Sequence, residues 1–94
     1  MEKEKELSEQ AQIQVYPNPA DHLINFELDY TKSLDSPDLL VIRDVNGKLV
    51  HTEQVKNAIY YFVLNTNDWS SGSYYYEVLS QDKLLESGKI EIIH

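Results

Sequence analysis

The sequence predicts an all-β fold in which seven short strands form an antiparallel sandwich. Runs rich in Val, Ile, Leu, Tyr and Phe recur along the chain, and turn-forming residues separate them. Apolar residues in these runs recur at every second position, which is the period of a strand and not of a helix. The strands are predicted at residues 12–16, 22–29, 39–44, 48–55, 59–65, 73–80 and 84–93.

The composition allows one small domain and excludes several classes of function. The 94 residues are 41% hydrophobic, which is enough for a single core. The chain has no cysteine, so neither a disulfide framework nor a thiolate metal site can form. The formal net charge of -8 opposes binding to nucleic acid or anionic lipid, because like charges repel. No apolar run approaches the roughly 20 residues that span a bilayer, so no membrane insertion is expected.

Residues 1–12 are predicted to be a polar linker, followed by a single domain at 13–94. Leu7 and Ala11 are the only apolar side chains in residues 2–12, so this segment cannot bury enough surface to offset the entropy lost on ordering. The segment also lacks the apolar stretch of a signal peptide. If the protein is an exported one, we therefore expect either an excised fragment or a mature form whose leader was removed.

A rigid corner is predicted between the first two strands. It consists of Tyr16, Pro17, Asn18, Pro19 and Ala20. Each proline fixes its own φ angle and disfavours the helical conformation of the residue before it, so the backbone is held extended at both preceding positions. This motif indicates architecture rather than chemistry.

Strands three and four are predicted to form a hairpin. Asn46 and Gly47 favour a type I′ turn, which needs positive φ at both central residues. The stretch from Asp44 to Gly47 also resembles half of a calcium loop. The first acidic residue after it is Glu53, so the liganding glutamate of such a loop is missing, and the turn interpretation is favoured.

The loop before strand six is predicted to cross from one sheet to the other. Trp69 is the expected apolar plug, although a sugar-stacking role is the alternative. Tyr74 is the expected corner residue, because immunoglobulin-like sandwiches tie such a tyrosine hydroxyl to the backbone a few residues upstream. The predicted fold is therefore an immunoglobulin-like antiparallel sandwich of seven strands.

Alternation within the strands predicts which side chains are buried. The opposite surface carries more aromatic side chains than solubility requires; it includes Asn25, Glu27, Tyr61, Val63, Tyr75, Glu77, Leu79 and Glu91. The predicted core consists of Ile24, Phe26, Leu28, Leu40, Ile42, Tyr60, Phe62, Leu64, Tyr74, Tyr76, Val78, Ile90 and Ile92.

No catalytic, cofactor or metal site is predicted. His22, His51 and His94 have no spacing that would bring two metal ligands together by local geometry, and we interpret them as surface residues. The serines near residue 70 have no neighbouring histidine, so the arrangement for nucleophilic catalysis is missing. The aspartates fall in turns, where they bond their own backbone. The three glycines do not have the spacing of a phosphate-binding loop.

Four segments form a pattern that spans nearly the whole chain. They are residues 15–20 (Val-Tyr-Pro-Asn-Pro-Ala), 42–50 (Ile-Arg-Asp-Val-Asn-Gly-Lys-Leu-Val), 69–74 (Trp-Ser-Ser-Gly-Ser-Tyr) and 88–92 (Gly-Lys-Ile-Glu-Ile). Their order and spacing resemble the type A C-terminal sorting domain of the type IX secretion system. The pattern departs from that family at Trp69, where a smaller aliphatic residue is more usual, and in the aromatic run at 74–76.

The resemblance implies a non-catalytic export signal for an upstream cargo that crosses the bacterial outer membrane. The implied partners are the secretion translocon and a sortase-like peptidase, which removes the domain near its start, in the polar segment before Ile13. In many such proteins the cargo then becomes attached to surface lipopolysaccharide. The implied location is therefore the periplasm in transit and afterwards the cell surface or the medium.

The family motifs carry over to eleven residues of this sequence. Each also has a role as corner, turn or core. Lys89 is the strongest candidate for a pure recognition signal, because packing does not require a basic side chain there. The carried-over residues are Tyr16, Pro17, Asn18, Pro19, Ala20, Asp44, Gly47, Gly72, Tyr74, Lys89 and Ile90.

The sequence also permits two other functions and predicts one self-association. A carbohydrate-binding or adhesive module would use exposed Tyr61 and Tyr75 as a flat stacking surface. A small free-standing secreted protein of the same fold is the second rival. The edges of the first and last strands predict a weak homodimer or strand donation, because open edges pair with other chains.

Overall fold

The computed structural model describes residues 11–94 and confirms the all-β prediction. These residues contain no helix and form two antiparallel sheets, with strand orders β1-β2-β5 and β4-β3-β6-β7. The predicted linker at 1–12 lies outside the described residues except for its last two. The strands are β1 (Gln12–Tyr16), β2 (Leu23–Asp29), β3 (Leu39–Asp44), β4 (Leu49–Gln54), β5 (Ile59–Asn65), β6 (Gly72–Ser80) and β7 (Lys83–Ile92).

One hydrophobic core receives side chains from both sheets. The Phe26 ring on β2 stacks on Phe62 of β5 at a centroid distance of 4.8 Å, and it meets Tyr76 of the other sheet edge-on at 5.7 Å. The predicted core residues of β2, β3 and β7 are all buried. The three predicted core residues of β5 are partly buried, because β5 is the edge strand of its sheet.

The outward-facing side chains do not share one surface. Tyr61 and Tyr75 are exposed as expected, at 62% and 43%. However, β5 and β6 belong to different sheets, so these two tyrosines lie on opposite outer faces of the protein. The predicted flat stacking surface made from both of them is therefore wrong.

The hairpin between β3 and β4 is confirmed, but the predicted type I′ turn is wrong. Only Gly47 has positive φ, at 82°, whereas Asn46 does not. The Asp44 carboxylate accepts hydrogen bonds from the N–H groups of Asn46 and Lys48, at 2.9 and 3.0 Å. These bonds hold a three-residue loop, which needs one residue of positive φ rather than two. The aspartate is engaged with its own backbone, as the turn interpretation predicts.

A two-residue turn with positive φ at both positions occurs instead between β6 and β7. Gln81 and Asp82 have φ angles of 50° and 70°, and the flanking Ser80 and Lys83 are paired. The N–H of Gln81 also donates to the Asp38 carboxylate at 3.1 Å. This turn lacks glycine and asparagine, the strongest sequence signals for its type, so its type could not be recognised from the sequence.

Candidate functional site

The eleven residues carried over from the sequence pattern all lie at one end of the sandwich. Tyr16 ends β1, Asp44 ends β3 and Gly72 begins β6. Adjacent strands are antiparallel, so these termini coincide with the last residues of β7. We call this region the motif end and define it as residues 16–21, 44–48, 69–74 and 89–94.

Asn18 joins the opening motif to the last strand through its side chain. Its amide Nδ2 donates to the carbonyl oxygen of Lys89 at 3.0 Å, and its Oδ1 accepts from the N–H of Glu91 at 2.9 Å. The amide of asparagine thus makes the two bonds that a neighbouring backbone would make. Asn18 lies between two prolines, and both X-Pro peptide bonds are cis.

The backbone at Ala20 extends this contact along β7. Its N–H donates to the carbonyl of Glu91, its carbonyl accepts from the N–H of Ile93, and both distances are 2.8 Å. Ala20 is 2% exposed and packs in the core beside Ile92. The edge of β7 from residue 89 to 93 is therefore covered by the chain itself. This part of the edge is not free for the strand pairing that the sequence predicted.

The tyrosine corner is confirmed. The hydroxyl of Tyr74 donates to the carbonyl of Ser70 at 2.6 Å. Trp69 is partly buried against the core, and its ring lies 4.9 Å from that of Tyr74. The plug interpretation of Trp69 is therefore favoured over a sugar-stacking platform. A groove of about 320 Å³ opens between this loop and the β3–β4 hairpin.

Lys89 projects from the outer face of β7 and is mostly exposed. Its Nζ lies 2.9 Å from Oε2 of Glu91, which also accepts a hydrogen bond from Ser73 at 2.8 Å. The hydrogen bond to Glu91 raises the pKa of Lys89, and the same bond lowers the pKa of Glu91. Opposite Lys89 on β6 lies the exposed Tyr75, and Arg43 follows on β3.

His94 links the last strand to the opening motif and to the Trp69 loop. Its Nδ1 lies 2.8 Å from Oδ1 of Asp21, and its Nε2 lies 2.7 Å from the Trp69 carbonyl oxygen. Both partners are acceptors, so both bonds can form only when the imidazole is protonated. The pKa of His94 is raised, first by the hydrogen bond that its ring donates to Asp21 and then by the one that it donates to the Trp69 carbonyl. The hydrogen bond from His94 lowers the pKa of Asp21.

The other two histidines differ in their exposure. His22 is exposed as predicted and lies 3.4 Å from the second Asp21 oxygen. His51 is partly buried, contrary to prediction, because its ring packs 6.2 Å from that of Phe62. Its Nε2 lies 2.9 Å from Oε1 of Glu53. Within residues 11–94, no group of three or more His, Asp or Glu side chains could hold a metal ion.

Gly88 is a structural residue that the carried-over set omits. It is paired with Tyr76, and a Cβ atom at this position would overlap atoms of the Tyr76 ring. The glycine therefore leaves the space in which that ring reaches Phe26. Gly88 lies within the fourth segment of the sequence pattern. The reason for a glycine there could not be read from the sequence, because it is the position of the Tyr76 ring on the neighbouring strand.

Comparison with known proteins decides the family. The model of the secretion system C-terminal sorting domain matches residues 14–93. The chain belongs to this family. No curated protein and no solved structure matches it.

The sorting-domain match begins inside β1 and ends one residue after β7, so it covers the sandwich except for the first two residues of β1. The resemblance of the sequence to the type IX sorting domain is thereby confirmed. Within the described residues there is no helix that could span a bilayer. A type IX sorting domain implies interaction with the secretion machinery and passage across the outer membrane.

Proposed function

We propose that this sorting domain is a non-catalytic signal that the type IX translocon reads at the motif end, and that it directs an upstream cargo across the outer membrane. The observation that carries the proposal is the convergence of all four motif segments at this end. Asn18, Ala20 and Asp21 tie the first segment to the last through five hydrogen bonds to residues 89–94. A shape assembled from both ends of the domain exists only after folding. The translocon would therefore read a folded domain.

The fold that presents this end is an immunoglobulin-like sandwich. The bond from Tyr74 to the Ser70 carbonyl supports this assignment, because that corner is characteristic of such sandwiches. The division into three-stranded and four-stranded sheets agrees with it. The proposed domain comprises residues 13–94 and follows a polar linker at 1–12, the last residue of which already lies in β1.

Processing completes the proposed route. A sortase-like peptidase removes the domain in the polar segment before Ile13, since polar linkers are preferred sites of proteolysis. The released cargo remains at the cell surface, attached there, or enters the medium. The domain itself is substrate and address, and it performs no chemistry.

The burial of the motif residues divides them into two roles. Ala20, Tyr74 and Ile90 are at most 7% exposed, so a partner cannot contact them extensively in the folded domain and their role is to build the motif end. Tyr16 and Lys89 are exposed and can be read directly. A recognition role for Lys89 is supported by its position on the outer face, where surface ion pairs add little to stability.

The test compares two lysines of the same strand. Lys89 lies at the motif end of β7, and Lys83 is exposed at its other end. The whole chain is fused behind a signal peptide and a fluorescent reporter in a bacterium with a type IX system, carrying either Lys89→Ala or Lys83→Ala. We expect Lys89→Ala to leave the reporter in the periplasm, while Lys83→Ala leaves export intact.

Unfolding of the two purified variants in urea separates recognition from folding. Equal stability of both variants, together with selective loss of export for Lys89→Ala, supports reading at the motif end. Equal export of both variants contradicts a recognition role for Lys89. Loss of export for both variants contradicts the assignment of recognition to this end of the sandwich.

The carbohydrate-binding alternative has less support. A flat platform needs several aromatic rings on one face. Tyr61 and Tyr75 lie on opposite faces, and Trp69 packs against Tyr74. A free-standing secreted protein of the same fold would leave the convergence of the family motifs unexplained.

A further inference from the structure

The edge strand β5 differs from the other strand edges of the sandwich. Its sequence, Ile-Tyr-Tyr-Phe-Val-Leu-Asn, contains no charged residue, no proline and no glycine. Among residues 11–94, β5 pairs with β2 alone and is the last strand of its sheet, so its outer edge is open. Native proteins usually protect such edges with charges, prolines or bulges.

The remaining three edges each carry a feature that hinders pairing. The edge of β7 is covered by Asn18 and Ala20 over its last residues, and its pairing with β6 is interrupted by a bulge. The edge strand β4 contains Glu53, and its register with β3 shifts. β1 is the shortest strand and runs directly into Pro17.

The exposed side chains of β5 are apolar or aromatic. Ile59, Tyr61 and Val63 are 46%, 62% and 55% exposed on the outer face of the sheet. The open backbone edge and this apolar row lie on the same strand. A partner strand would therefore gain backbone hydrogen bonds and cover apolar surface at once.

We propose that two copies of this chain associate weakly by antiparallel pairing of their β5 strands, with the two-fold axis at Phe62. In this register Tyr61 lies opposite Val63 of the second copy, an aromatic and β-branched pair that is favourable across strands. Ile59 lies opposite Asn65. The two three-stranded sheets then form one continuous sheet of six strands.

The charges that flank β5 complement each other in the same register. Lys56 precedes the strand and Asp68 follows it, at equal distances along the chain from Phe62. The two-fold axis therefore brings Lys56 of each copy towards Asp68 of the other. This opposite-charge arrangement arises only when the strands are antiparallel and centred on Phe62.

The net negative charge of the chain does not prevent this pairing. The acidic residues nearest β5 are Glu53 and Glu27. Glu53 of β4 accepts a hydrogen bond from the Tyr60 hydroxyl at 2.7 Å and lies 2.9 Å from His51, so its carboxylate is already engaged within its own copy. Glu27 of β2 lies beside Tyr61. The two Glu27 positions would be about 16 Å apart, because they are three strand spacings apart across the sheet and two residues apart along the strands. This distance exceeds the screening length of about 8 Å at physiological ionic strength, so their repulsion is weak.

The test places opposite charges at facing positions of the proposed interface and measures dimerisation of the whole chain. Small interfaces bind weakly, so sedimentation velocity is followed up to about 1 mM protein. The unmodified chain should show increasing dimer with concentration. Tyr61→Lys and Val63→Glu should each lose the dimer, because each places an unpaired charge opposite an apolar residue. A mixture of these two variants should form a heterodimer, because the new charges lie opposite each other.

Leu84→Lys is the matched control. Leu84 is 52% exposed on β7, and a lysine there should leave the dimer unchanged. Thermal unfolding of each variant verifies that it is folded. A monomer at every concentration of the unmodified chain would overturn the proposal, as would dimerisation that survives Tyr61→Lys. Failure of the folded mixture to form a heterodimer would overturn the register centred on Phe62.

Discussion

At the scale of single residues, the opening motif is explained by the side chain of Asn18. Its amide replaces a backbone unit at the edge of β7, with one donor and one acceptor used. Aspartate has a similar shape but lacks the donor. The motif therefore needs asparagine between its prolines for a reason that lies in the last strand.

Asn18→Asp should lower the free energy of unfolding by about 1 kcal/mol, because the hydrogen bond to the Lys89 carbonyl is lost. Urea unfolding of the whole chain measures the effect. Asn57→Asp, at an exposed position between β4 and β5, is the control and should change little. Equal loss in both variants would show that added negative charge, and not the lost donor, is responsible.

The hydroxyl of Tyr74 also contributes to the stability of the fold, and its contribution can be measured separately. Tyr74→Phe removes its bond to the Ser70 carbonyl and should cost about 1 kcal/mol of stability. Tyr75→Phe removes a hydroxyl from the next residue, which is 43% exposed, and should cost close to nothing. Equal stability of the two variants would contradict a stabilising corner.

At the scale of elements, β6 and β7 are fitted together by Gly88 beneath the Tyr76 ring. Gly88→Ala would force the ring or the strand to move, and such overpacking costs about 1–3 kcal/mol. In a Tyr76→Ala background the same substitution should cost much less, because the obstructing ring is absent. An unchanged cost in that background, measured by urea unfolding, would contradict this account.

The strands could be predicted from the sequence, whereas one turn type and the contacts between distant residues could not. The bounds of all seven predicted strands agree with the structure to within one residue at each end, because alternation depends on residues close together in the chain. The turn type at Asn46 was not, since the Asp44 side chain selects a longer loop. The contacts of Asn18 with β7 and of His94 with Asp21 join residues more than seventy positions apart, and no local pattern encodes them.

At the scale of the whole molecule, His94 makes the motif end sensitive to pH. The fold raises the pKa of His94 and so favours its protonated form. Its contribution to the free energy of unfolding is fully present below the unfolded histidine pKa of about 6.5, and it is lost as the pH rises through the pKa of the folded protein. The fold lowers the pKa of Asp21. Its contribution to the free energy of unfolding is therefore present above the unfolded aspartate pKa of about 3.9, and it is lost as the pH falls through the pKa of the folded protein. The contact is therefore strongest between these two values.

The unmodified chain should lose stability between about pH 5 and about pH 8.5, because His94 loses its proton over this range. His94→Gln should show a smaller loss, because glutamine does not titrate. Urea unfolding of both proteins at each pH gives the comparison, and His22→Gln serves as the control for the neighbouring exposed histidine. Identical pH dependence of the unmodified chain and His94→Gln would contradict the role of this contact.

If the whole sandwich is a type IX sorting signal, it must direct a cargo across the outer membrane, and the location of that cargo can be measured. A signal peptide and fluorescent reporter are placed before the chain and expressed in two strains that differ only in a functional type IX translocon. We expect the reporter at the cell surface or in the medium of the competent strain and in the periplasm of the other. Periplasmic reporter in both strains, with the domain folded and intact, would contradict it.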